Sequence, residues 1–116
     1  MKRFLRSITA MVVTILLSGI SVFAALPTPT NEFFVNDFAN VLSSQTEKYI
    51  VERGAAAAET DGKQIVVTTV ESLEGRTVDE YALDMLRSWG IGDKEKNNGL
   101  LILFAKQDRK IKIEVG

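Results

Sequence analysis

The feature that most narrows the fold is the order of three apolar segments in the second half of the chain. Ile65-Val-Val-Thr-Thr-Val70 is β-branched or apolar throughout and reads as a strand buried on both faces. Thr77 and Glu80 then match a capping box, in which each residue satisfies a backbone amide near the other. Val78, Tyr81, Ala82, Met85, Leu86 and Trp89 follow at helical spacing as one apolar face, and Gly90 ends it. Leu100-Leu-Ile-Leu-Phe104 is a second buried strand. Strand, helix and strand in that order form a crossover unit, so the two strands are expected to be parallel with a right-handed connection. Lys110-Ile-Lys-Ile-Glu-Val115 alternates, which places Ile111, Ile113 and Val115 inward and both lysines outward. Residues 106–109 join it to the preceding strand as an antiparallel hairpin. The expected fold class is therefore α/β: a mixed β-sheet with helices packed on it, an α/β/α sandwich.

Upstream the signals are shorter. Leu26-Pro-Thr-Pro-Thr30 reads as an extended stretch, because each proline pushes its predecessor out of helical space. Phe33-Phe34-Val35 is a brief apolar run, read as an edge strand ending at Asn36-Asp37. A helix is expected to begin at Ser43 or Ser44, with Ser44 and Glu47 as its capping box, and to stop before Gly62 as a left-handed cap. Gly54 inside that helix costs about 1 kcal/mol relative to Ala. The 116 residues suffice for one domain. It is expected over residues 33–116, after a linker at 25–32. The chain closes directly after a strand, with little to cover the second sheet face, so an incomplete domain is expected.

The N-terminus reads as an address. Lys2, Arg3 and Arg6 form a cationic region, residues 8–17 an apolar one, and Val22-Phe23-Ala24 a cleavage site for a secretory signal over residues 1–24. The alternative is an uncleaved membrane anchor, since the run 8–26 is just long enough to span a bilayer. Both place the remainder outside the cytoplasm: secreted, periplasmic or anchored facing outward. The formal charge is -1, and three of the basic residues lie in the leader, so the rest is acidic. A nucleic-acid surface is not expected, for want of a basic groove and stacking aromatics. With no histidine and no cysteine there is no Ser-His-Asp triad, thiol nucleophile, zinc finger or iron–sulfur site.

Taken in order, several stretches resemble the TPM domain family of extracytoplasmic or lumenal α/β domains. They are Val35-Asn-Asp-Phe-Ala-Asn-Val-Leu42, Gln64-Ile-Val-Val-Thr-Thr-Val70, Leu73-Glu-Gly75, Tyr81-Ala82, Trp89-Gly-Ile-Gly92, Asn97-Asn-Gly-Leu-Leu101 and Lys112-Ile-Glu-Val-Gly116. The family pattern usually runs on past the closing Glu-Val-Gly into a glycine-rich turn and further helical sequence. The resemblance implies divalent-metal binding, notably calcium, acid phosphatase activity in some relatives, and accessory roles beside membrane complexes.

Calcium needs six to eight oxygen ligands. The loop Asp93-Lys-Glu-Lys-Asn-Asn-Gly99 is rich in such oxygens but is not an EF-hand, because Phe104 stands where the bidentate Glu would be required. The plainer reading is a solvated loop whose Asn98-Gly99 turns the chain into a strand. Asp37 is the other candidate ligand, with an Asx-turn or cap as its plainer role. Open α/β sheets bind ligands beyond the carboxyl ends of their strands, which points to Glu71, Ser72, Asp108 and Arg109; the loop points to the opposite end. The expected metal site is Asp37 with Asn97 and Asn98, and catalytic residues are left unassigned. A phosphatase without His or Cys needs an aspartate nucleophile or a metal-activated water, plus a cation for the phosphoryl oxygens. Asp108 beside Arg109 comes nearest, although such a pair at a hairpin tip is usually solvated turn charge. No glycine-rich phosphate cradle opens a helix. The reading is an exported accessory or binding domain that takes calcium and acts beside a membrane-associated protein complex. It uses no organic cofactor and no nucleic acid; a metal-assisted acid phosphatase is the alternative.

Overall fold

Both helices start where a hydroxyl side chain takes up an orphan backbone amide. Thr77 does so with Glu80 N at 3.2 Å, as its sequence pattern requires. At the earlier helix the cap is Ser43, which accepts from Thr46 N at 3.1 Å. The expected Ser44–Glu47 box is thus shifted by one residue, and the Glu47 side chain is released for another use. A computed structural model describes residues 26–92, 95 and 97–116. The leader expected over residues 1–24 lies outside them. The elements are β1 (Val35–Asp37), α1 (Ser44–Asp61), β2 (Gln64–Val70), α2 (Val78–Ser88), β3 (Gly99–Ala105) and β4 (Lys110–Val115). Gly62 ends α1 in the left-handed region, with φ 65°.

Among the described residues the sheet has four strands in the order β1-β2-β3-β4. β1, β2 and β3 are parallel, and β4 returns antiparallel to β3. The expected β2–α2–β3 crossover and β3–β4 hairpin are both present. A second crossover, β1–α1–β2, precedes them. The sequence pattern missed it because β1 is three residues long and lies two residues later than the Phe33-Phe34-Val35 run suggested.

Side chains on a strand alternate between faces, and the helices divide those faces. Helix α2 touches β3 and β4, and α1 touches β1 and β2. Tyr81, Ala82, Met85 and Leu86 of α2 join Val66, Val70, Leu101, Leu103 and Ala105 in the main core. Register puts Lys112 and Glu114 on that same face, opposite Leu103 and Leu101. Ile111, Ile113 and Val115 therefore point the other way, where α1 covers only the far half of the sheet. They are 67%, 56% and 64% exposed, so the expectation that they point inward is corrected. Lys112, expected to point outward, instead lies under α2 with Nζ 2.9 Å from Asp79.

Residues 26–30, expected as a linker, lie against the domain. Leu26 packs on the core, and the Trp89 indole donates to Pro27 O at 3.0 Å. Thr30 donates to Asn36 Oδ1 through both its amide (2.8 Å) and its hydroxyl (3.0 Å). No helix of the described residues is long and apolar enough to cross a membrane.

Gly54 is the residue through which α1 approaches β1. A Cβ there would fall 2.8–3.1 Å from Phe34 Cδ1, Cγ and Cβ, the near end of that side chain rather than its mobile tip. Helix propensity would favour alanine by about 1 kcal/mol, but overpacking costs about 1–3 kcal/mol. Gly54→Ala is therefore expected to destabilise by about 1 kcal/mol in a urea melt. A gain in stability would show that α1 can lift off Phe34 freely.

Candidate functional site

Asp37 ends β1 and pairs in register with Thr69, near the carboxyl end of β2. Its Oδ1 accepts from Thr69 Oγ1 at 2.6 Å and from Val41 N at 3.0 Å, and its Oδ2 accepts from Leu42 N at 2.9 Å. The carboxylate thus ties the loop into α1 to the sheet, which is the turn-anchoring role that aspartate commonly takes. Burial pushes its pKa up, and the hydrogen bonds from Thr69, Leu42, Val41 and Glu47 outweigh it, leaving Asp37 below the ordinary 3.8.

Glu47, in the first turn of α1, is the partner that sequence reasoning missed. Its pKa is raised above 4.5 by desolvation, by the Asp37 charge, by its hydrogen bond to Asp37 and by the Glu32 charge. The two carboxyls lie ten residues apart in sequence with an irregular loop between them, so no periodic pattern announces the pair. The one available signal was Ser43, which competes with Ser44 for the cap. Asp37 and Glu47, with Thr30, Asn31, Glu32 and Val35, line an open recess of about 480 Å³. Its polar lining is oxygen-bearing, with no lysine or arginine.

The sheet does not bring the three expected metal ligands together. Asn98 directly precedes Gly99, which pairs with Gln64 at the amino end of β2, whereas Asp37 pairs with Thr69 near the other end. That is a separation of roughly 16 Å along the strand. Asn98 Nδ2 donates to Gly62 O at 2.5 Å, fastening the loop before β3 to the cap of α1. Asn97 is exposed and left-handed, with φ 47°, a conformation asparagine tolerates in turns. Asp37 therefore stands near one end of β2, and Asn97 and Asn98 stand near the other.

The residues expected at the carboxyl end do gather there, as a structural clasp. Asp108 Oδ2 accepts from Leu73 N at 2.7 Å. Lys106 Nζ lies 3.7 Å from Glu71, and Gln107 Nε2 donates to Glu71 at 3.4 Å. Ser72 Oγ accepts from Glu74 N at 2.9 Å. Among the described residues no ion pair joins Asp108 to Arg109, which is exposed on the hairpin.

The donor chemistry of the recess suits a hard cation and does not suit a phosphate ester. Among the described residues no three acidic side chains converge closely enough to hold a metal by themselves. A cation bound at Asp37 and Glu47 would therefore draw the rest of its shell from carbonyls, hydroxyls and water.

Comparison with known proteins places the chain. A family profile described as the TPM domain matches residues 35–116. The chain belongs to the TPM domain family. It is similar to the N-terminal domain of a protein from P. gingivalis, solved by solution NMR, at 28% identity with a TM-score of 0.66. The similarity covers 73% of this chain and 54% of that one, so the chain spans about half of the solved protein. A search of curated proteins gave no match.

Proposed function

We propose that this TPM-family chain is an exported accessory domain that takes calcium at the Asp37–Glu47 recess and works beside a membrane-associated protein complex. The observation that carries the reading is the recess itself, in which the Asp37 and Glu47 carboxyls meet further oxygen-bearing side chains and no basic one. Two neighbouring carboxyls without a counter-charge are a favourable starting point for a divalent cation, which would supply one. Asp37 already serves Val41, Leu42 and Thr69, so Glu47 would supply the freer carboxylate oxygens. Such a site belongs with the weak calcium modules, with dissociation constants of about 10⁻⁴–10⁻³ M. Export rests on the cationic and apolar pattern of residues 1–24. The phosphatase alternative has less behind it, because the recess offers nothing to bind phosphoryl oxygens until a cation has entered.

Thermal melts of the purified chain in EDTA and in about 10 mM calcium test the reading. A dissociation constant in the range above gives a stabilisation of about 1.4–2.7 kcal/mol, or roughly 6–20 °C for a domain of this size. Glu47→Gln keeps a hydrogen-bond donor toward Asp37 and should abolish the shift. A cooperatively melting protein that ignores calcium, or an undiminished shift in Glu47→Gln, would overturn the assignment.

A further inference from the structure

Part of the Asp37–Glu47 recess is built by residues that are fastened on the other face of the sheet. Asn36 pairs in register with Thr68, which pairs with Leu103 of the main core, so Asn36 lies on the α2 face. Its neighbours Val35 and Asp37 point to the α1 face and line the recess. Residues 26–33 serve both sides. Leu26 packs on the main core, and the indole of Trp89, at the end of α2, donates to Pro27 O at 3.0 Å. Pro27 and Pro29 stiffen the run that follows. Thr30, Asn31 and Glu32 then line the recess beside Asp37 and Glu47. Phe33 returns to the main core, with its ring 6.5 Å from that of Trp89. Trp89 thus holds this segment both before and after the turn that lines the recess. Asn36 holds the turn from within: its Oδ1 accepts from the amide and hydroxyl of Thr30, and its Nδ2 donates to Phe33 O at 2.7 Å.

We infer, on the reading of the recess as a cation site, that residues 26–32 are a strap whose docking on Trp89 is coupled to cation binding. Docking assembles the wall of Thr30, Asn31 and Glu32, and a cation in the recess keeps the strap docked. Half of the residues that line the recess belong to the strap. Undocking therefore removes oxygen donors that a hard cation needs to complete a shell of six to eight. A ligand shifts an equilibrium only by its differential affinity for the two states, and the docked state is the one with the complete wall. Linkage makes the effect reciprocal: docking tightens cation binding by the same factor by which the cation suppresses undocking. Neither Leu26 nor Trp89 lines the recess, so both act on it through the strap.

NMR on the purified chain reads both sides of the coupling, because Trp89 is its single tryptophan and gives one indole N–H signal. Adding about 10 mM calcium, well above a dissociation constant of about 10⁻⁴–10⁻³ M, should slow hydrogen exchange of that indole about fivefold or more. Leu26→Ser loosens the strap without altering a residue that lines the recess. It should raise the calcium dissociation constant by a factor no larger than that slowing. Trp89→Phe keeps an aromatic ring, loses the bond to Pro27 O, and should weaken calcium binding likewise. Glu47→Gln should abolish both the binding and the slowing, and circular dichroism confirms that each variant is folded. A wild-type chain that binds no calcium overturns the reading of the recess and the coupling with it. Binding that Glu47→Gln abolishes but that leaves indole exchange unchanged overturns the coupling alone, as does an unchanged dissociation constant in either folded strap variant. Slowing that survives in Glu47→Gln places the ion elsewhere and overturns both.

Discussion

Leu101→Ala is expected to destabilise the fold by about 3 kcal/mol, lowering the melting midpoint by roughly 12–24 °C. Leu101 lies in β3 at the middle of the sheet, between Val66 of β2 and Glu114 of β4, and is 0% exposed. Its side chain belongs to the core that Met85, Leu86, Leu103 and Val70 complete. Truncation forfeits the transfer free energy of the lost carbons and leaves a cavity that a three-element junction cannot collapse. Ile111→Ala provides the contrast within one hairpin. Ile111 is 67% exposed, so its truncation should stay within about 0.5 kcal/mol. Urea denaturation of both variants decides the matter. Comparable losses would mean that the β4 face assignment is wrong and that Ile111 is buried after all.

That contrast also marks where the sequence stops being informative. Helix α2 was legible because its signals are local: a threonine cap, an acidic first turn and one apolar stripe. The crossover and the hairpin followed from element order. For β4 the period was legible and the phase was not. An alternating strand has two faces, and choosing between them requires knowing which side the helix lies on. In this chain α2 lies over Lys112 and Glu114, and the Lys112–Asp79 pair makes a basic position acceptable there. Near β1 the obstacle was backbone shape. Phe33 has φ 55°, and the chain bends before the strand begins, so the apolar run Phe33-Phe34 precedes the strand instead of forming it. Phe33 packs on the main core while Phe34 meets Gly54 of α1. Asp37 was recognisable as a polar anchor. Its partner Glu47 was not, because their meeting depends on the path of the loop between them. Asn97 and Asn98 attracted a metal reading through an oxygen-rich loop and the family resemblance it carries, whereas sheet register places them at the end of β2 opposite to Asp37.

Asp37→Ala is the second large loss expected, about 2–3 kcal/mol near neutral pH, or roughly 10–20 °C. The substitution leaves the amides of Val41 and Leu42 and the hydroxyl of Thr69 without their acceptor. The two amides can reach water; Thr69 is buried, and its oxygen still holds Ala39 N at 3.1 Å, so part of the junction survives. The loss should depend on pH in a defined sense. Asp37 has a folded-state pKa below its ordinary 3.8, so its contribution is complete above that value and disappears as the pH falls through the folded one. Wild type and Asp37→Ala should therefore converge in acid. Glu47 runs the opposite way: its folded pKa lies above 4.5, so its contribution is complete below that value and is lost as the pH rises through the folded one. Glu47→Gln should consequently raise the midpoint at neutral pH and bring no such gain in acid, where Glu47 is already protonated in both states. Melting curves of the three proteins from acid to neutral pH separate the two residues. A wild-type advantage over Asp37→Ala that persists undiminished in strong acid would show that the loop is held by packing, with the carboxylate incidental. If it fades while Glu47→Gln gains with rising pH, the pair is electrostatically coupled, and the acidic recess exists at a standing cost that a bound cation would relieve.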